Sequence, residues 1–288
     1  MAKQYYSLVA GLEELILEAD HKGFDAVALR EEIIPELSKG DLRALRTFYA
    51  FYDVENVLAA LSGKQTFNPL GNYSAEQIAD TLEAVRSSQP DADGLLPPWI
   101  TRTLQAYHAK DEGRSDDDID TSKKLENTLW SAFYTQCAAS SNRFVREWFA
   151  FDQTLRNISA AYIARSHKWP IAEQLVGEGD LVKALSQSSA GDFGLRGEID
   201  YIESIIALLD TPNMVEKEQR LDQIRWSKAD ELTTFDYFNL NTLLAYLAKA
   251  NIIQRWTVLD RKQGEAMLNR LLAELSDKSI LQRAEAQQ

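Results

Sequence analysis

Apolar residues recur along this chain at helical spacing and almost nowhere at strand spacing. That pattern constrains the fold more than any other feature. Val54, Val57, Leu58 and Leu61 fall at i, i+3, i+4 and i+7, as do Leu240, Leu243, Leu244 and Leu247. Ile199, Ile202, Ile206 and Leu209 form another stripe, and Phe151, Leu155, Ile158 and Tyr162 a fourth. Each stripe lines one face of an α-helix that must bury against a neighbour. Alternation is confined to Tyr5–Val9, the one strand candidate. The expected fold class is all-α.

A short motif accompanies three of these stretches. It reads Phe51-Tyr52-Asp53-Val54-Glu55-Asn56-Val57, then Phe151-Asp152-Gln153-Thr154-Leu155-Arg156-Asn157-Ile158, then Phe235-Asp236-Tyr237-Phe238-Asn239-Leu240. Each has an aromatic residue before an Asp, an Asn soon after, and an aliphatic residue behind the Asn. In the outer two, Asp-x-x-Asn sets both polar groups on one helix face; the middle spacing does not. A recurring motif sets the architecture, here three pseudo-repeated helical units. Turn chemistry places their limits at about 1–110, 111–190 and 191–288, and such units can share one core. Asp53, Asn56, Asp152, Asn157, Asp236 and Asn239 are the residues to follow. Successive repeats hold equivalent residues far apart, so bracing or capping of helices is the expected role, not catalysis.

Several boundaries are written in the letters. Asn68-Pro69-Leu70-Gly71-Asn72 interrupts the chain after the first motif, and Ser74-Ala75-Glu76-Gln77 fits a capping box that starts a helix. Lys110–Asp120, with Gly113 and Asp116-Asp117-Asp118, reads as an exposed acidic linker. Ala190–Gly197 is a glycine-rich turn expected to lead into a helix at Glu198.

Charge excludes some classes of function. With 31 basic and 44 acidic residues the formal charge is −13, which repels phosphate backbones and anionic lipid. No nucleic-acid partner is expected. A single cysteine, Cys137, allows no internal disulfide, and its apolar neighbourhood marks a buried thiol. No secretory signal or membrane span is evident, so the expected location is the cytoplasm, with contact to a membrane only through protein partners.

Motifs for covalent or metal chemistry are fragmentary. Asp116-Asp117-Asp118-Ile119-Asp120 satisfies the Asp-Asp-x-x-Asp pattern by which helical prenyl-transferring enzymes hold Mg²⁺, but a solvated charge run gives the same letters. Glu18-Ala19-Asp20-His21 is half of a carboxylate–histidine metal motif without its second copy. Gly63-Lys64 lacks the glycine and hydroxyl residue of a phosphate loop, and Asp192-Phe193-Gly194 lacks the other kinase segments. The expectation is no catalytic residue, no metal and no cofactor.

The three Asp/Asn stretches, Tyr52–Leu58 above all, resemble the rotor-socket subunit of V/A-type ATPases, a component of both the prokaryotic and the eukaryotic machines. Tyr5–Leu12, Phe144–Asn157, Asp192–Tyr201 and Leu221–Trp226 resemble an uncharacterised bacterial family, a domain of unknown function encoded beside V/A-type ATPase subunits. The resemblance implies a funnel-like helical body and a non-enzymatic subunit that couples the central stalk to the membrane ring. Those ATPase subunits are then the expected partners. A helical adaptor of another complex, or a Mg²⁺-dependent prenyl-diphosphate enzyme built on Asp116–Asp120, is the alternative.

Overall fold

A computed structural model describes residues 3–19, 23–87, 96–111 and 119–258, the side chains at 109–111 and 119–124 excepted. The described residues form helices without a strand: α1 (Tyr6–Ala10), α2 (Ala26–Ile33), α3 (Lys39–Leu61), α4 (Ala75–Arg86), α5 (Pro98–Asp111), α6 (Ile119–Ala138), α7 (Arg143–Ser166), α8 (Asp180–Gln187), α9 (Ile202–Leu209), α10 (Met214–Thr233) and α11 (Leu240–Val258). The all-α expectation holds.

Helix starts follow local hydrogen-bond chemistry. Ser38, Asn142 and Asn213 each turn a side-chain oxygen onto first-turn amides, satisfying donors that a helix cannot pair internally. At α4 the expected capping box is complete. Ser74 Oγ accepts from the Gln77 amide at 3.2 Å, and Gln77 Oε1 accepts from the Ser74 amide at 2.9 Å.

Two local expectations need correction. Tyr5–Val9 is not a strand; its residues enter α1, where the Val9 amide donates to the Tyr5 carbonyl at 2.9 Å. No described sheet edge exists to pair such a strand, so a helical turn satisfies the backbone instead. The glycine-rich segment does not open a helix at Glu198. It continues as turns, with Gly194 at φ +74, and α9 begins at Ile202.

Packing joins distant parts of the chain. One hydrophobic core combines residues from Tyr5 to Phe149 with Val176 and with residues from Ala229 to Ala250. A second, from Phe151 to Leu221, is built on the C-terminal part of α7 and covered by α8 and α9. α7 therefore spans both, and the cores cut across the boundaries near 110 and 190. An aromatic group anchors the first core: Phe133 meets Phe149 edge-on with centroids 4.8 Å apart, and Phe51 lies 5.0 Å from Trp130. Cys137 is buried beneath it. Burial, reinforced by the nearby negative charge of Asp152, pushes its thiol above the ordinary cysteine value, so it is held as an unreactive thiol.

Candidate functional site

The first two motif copies act as clamps on the loops that follow their helices. In α3, Asn56 makes a two-way bond with Asn68: its Nδ2 donates to the Asn68 carbonyl at 2.9 Å, and its Oδ1 accepts from the Asn68 amide at 2.7 Å. One turn earlier, Asp53 accepts from the Asn72 amide (2.6 Å), the Asn72 side chain (2.7 Å) and the Tyr73 amide (3.3 Å). Arg30 of α2 closes the other side by donating to the Leu70 carbonyl at 2.6 Å. Gly71 passes so close that a Cβ there would lie 2.9 Å from both Asn56 Nδ2 and Asp53 Oδ1. The i, i+3 spacing thus does what a single helix face permits, holding two points of one loop.

In α7 the same device recurs around the Asn. Asn157 Nδ2 donates to the Val176 carbonyl at 2.9 Å, and Asn157 Oδ1 accepts from the Val176 amide at 2.8 Å. Gln153, one turn earlier, donates to the same carbonyl at 3.0 Å. Gly177 follows at φ +85, where a side chain would be strained and a Cβ would collide with the Gln153 amide. Asp152 takes no part in this clamp. It faces α6 and α10, accepting from the Tyr134 hydroxyl at 2.7 Å with Arg225 Nε at 4.0 Å.

The third copy departs from the expectation. Asp236-Tyr237-Phe238-Asn239 is not helical; it joins α10 to α11. Asn239 sits immediately before α11, and its Oδ1 accepts from the Asn241 amide at 2.9 Å and the Thr242 amide at 3.3 Å. Short polar side chains compete with the backbone in this way and favour helix starts over helix interiors. Asp236 accepts from the side chains of Asn239, Asn241 and Arg143. Burial works against its ionisation, but those donors and the Arg143 charge outweigh it and hold the carboxyl below the ordinary aspartate value.

A buried Asn outside the three motif copies lies in α11. Asn251, within Ala250-Asn251-Ile252-Ile253, is 6 % exposed, and its Oδ1 accepts from the Tyr49 hydroxyl at 3.4 Å. α3, α7 and α11 touch one another pairwise, and each carries a buried Asn followed by Val or Ile. The available signal was the Asn-aliphatic pair inside an apolar stripe, not the aromatic-Asp pair before it.

A charged network crosses the body beside these helices. Asp222 of α10 is 1 % exposed and accepts from Arg225 (3.0 Å), Arg255 and the Trp256 indole N–H (2.8 Å). Arg255 also donates to Glu218 at 2.9 Å. Burial lifts the Glu55 carboxyl above its usual value against the pull of Arg156 and the Asn68 amide, and lifts the Tyr52 hydroxyl well above its own.

A model of the family described as "Protein of unknown function (DUF2764)" matches residues 1–279. The chain belongs to this family. No curated protein and no solved structure matches it. Among the described residues of this DUF2764 chain, no His, Cys, Asp and Glu side chains form a group of three able to hold a metal, and no helix is long and apolar enough to cross a membrane. Asp116, Asp117 and Asp118 lie outside the described residues, as do Asp20 and His21.

Among the described residues of the DUF2764 chain, the most exposed large apolar side chain lies between α10 and α11. Phe235 is 88 % exposed and Tyr237 67 %, on the loop that Asp236 pins. Phe238 packs its ring 4.7 Å from Tyr6, itself exposed, and the Tyr5 amide donates to the Phe238 carbonyl at 2.6 Å.

The first clamp also predicts a pH effect. Burial pushes the Asp53 carboxyl up to about 6, with the Asn72 and Tyr73 donors opposing the rise. The folded value lies above the unfolded one, so the folded chain binds this proton more tightly. Stability from this group is therefore greatest below the unfolded value and is lost as pH rises from about 4 to about 6. The loss is on the order of 3 kcal/mol. Urea unfolding across that window should show a slope that Asp53→Asn flattens, and the Asp53 carboxyl carbon should titrate near 6 in NMR. A midpoint near the ordinary aspartate value would contradict it.

Proposed function

We propose that this DUF2764 chain is a non-enzymatic subunit of a V/A-type rotary ATPase, similar to the socket that couples the central stalk to the membrane ring. One observation supports the reading above others. Three mutually packed helices, α3, α7 and α11, each bury an Asn followed by an aliphatic residue. In this reading they are the repeated element, with Asn251 replacing Asn239 as the third member. Their polar groups, and the ion pairs of α10 and α11, are spent on joining helix to loop and helix to helix. Such bracing gives a body whose shape resists load, which is what a coupling element needs. In the same reading the body has a funnel-like contour and meets the inner membrane face through stalk and ring subunits.

A tagged protein recovered from native membranes should bring down stalk or ring subunits in stoichiometric amounts. Recovery of the tagged chain without any of them would overturn the assignment. A second reading, a helical adaptor of a different complex, is favoured by the pinned aromatic loop at Phe235–Phe238, because rigidly displayed aromatic residues serve many protein interfaces. The same experiment separates the two by the identity of the recovered protein.

A further inference from the structure

The geometry points to a carboxylate-binding pocket at Arg156, a site independent of the partner proposed above. A cavity of about 290 Å³ opens between α6, α7 and the Ile171–Gln174 turn, and Arg156 lines it. The Arg156 guanidinium lies over the buried Trp130 ring, 4.0 Å from its centroid. Arg30, Arg143, Arg225 and Arg255 each have a carboxylate oxygen within 4.0 Å. Arg156 has none among the described residues, although Glu55 feels its charge and the neutral Tyr134 hydroxyl interacts with it. It makes no described hydrogen bond to a backbone carbonyl either.

The neighbours of Arg156 define the ligand. Contact with the Trp130 ring restrains the guanidinium fork, and a restrained fork suits a planar two-oxygen anion. Ile163 and Trp169, both partly exposed, supply an apolar mouth, and the Gln174 amide adds a polar group. Glu126 also lines the pocket and disfavours a doubly charged phosphate over a singly charged carboxylate. One wall is Val176, which the Asn157 clamp holds in place. The ligand class is a carboxylate on a small apolar or aromatic body. It can come from a free organic acid or from the C-terminus of another polypeptide.

NMR titration of the indole and side-chain amide signals tests this with benzoate and hexanoate as free acids. A short peptide ending in leucine, as its free acid and as its amide, forms the second arm. Saturable shifts at Trp169 and Gln174 with a carboxylate probe are expected, weakened about tenfold or more in R156Q. Because R156Q also removes the contact with Trp130, I163E provides a second test: Ile163 is exposed, and the new carboxylate would compete for Arg156 without disturbing the core. Binding by the free acids alone identifies a small-molecule site, and binding by the peptide acid identifies a chain terminus; both support the inference. Absence of saturable shifts with every carboxylate, equal binding by the amide, or undiminished binding in folded I163E would overturn it.

Discussion

Asp222→Ala should lower the unfolding free energy by about 3–5 kcal/mol, near the upper limit for loss of a single side chain. Asp222 receives two guanidinium groups and an indole N–H in a place almost closed to water. Its removal leaves Arg255 with Glu218 alone and strips Arg225 and the Trp256 N–H of their closest partner. The penalty comes from stranding those donors, so it exceeds any net value of the pairs themselves. Glu218→Ala is the control. Glu218 and Arg255 are both more than a third exposed, and Arg255 keeps Asp222, so that loss should stay below about 1 kcal/mol. Thermal and urea unfolding would distinguish them, with Asp222→Ala melting roughly 10 °C lower by the usual scaling for chains of this size. Equal small effects for both variants would show that the network does not hold α10 to α11.

What could be read from the letters follows from range. The helical stripes at Val54, Phe151 and Leu240 and the Ser74 capping box depend on residues within about two turns of one another and appear as expected, whereas Ile199 lies before α9, whose buried face is Ile202, Ile205, Leu208 and Leu209. The clamps could not be foreseen in full, because Asn56 and Asn157 find backbone partners 12 and 19 residues ahead, on loops whose path the sequence does not fix. Asn68-Pro69-Leu70-Gly71-Asn72 was legible as a break, but not as the object that Asp53 and Asn56 hold. The third motif copy has the letters of the first two but lies between α10 and α11, whereas α3, α7 and α11 each carry a buried Asn before an aliphatic residue. Asp222 was invisible for a different reason. Its Arg255 partner stands 33 residues away on another helix, and an acid beside apolar positions of α10 looks like any solvated charge. Arg156 carries the same lesson: its contact with Trp130 and its place in a pocket arise only when α6 and α7 pack together.

Asn157→Ala should cost on the order of 2–3 kcal/mol, a figure set by the buried Val176 amide it leaves without an acceptor. Gln153 still donates to the Val176 carbonyl, so the carbonyl keeps one partner while the Val176 amide loses its acceptor. Val176 is 2 % exposed, and water cannot replace the lost bond without opening the loop. Asn157→Asp separates geometry from packing. A carboxylate keeps an acceptor for the amide but turns an oxygen toward the carbonyl that Nδ2 now serves, so at neutral pH it should be nearly as damaging as alanine. Protonation restores a donor on that side, and the deficit should shrink as pH falls through the carboxyl range. Asn56→Asp should behave alike, because Asn56 meets Asn68 through the same pair of bonds. Amide hydrogen exchange at Val176 is the direct readout: faster exchange confined to the neighbourhood of Val176 means that the clamp holds the loop locally. Exchange that accelerates throughout α7 would mean that the Asn is instead part of the global core, and the comparison with Asn56 would then lose its basis.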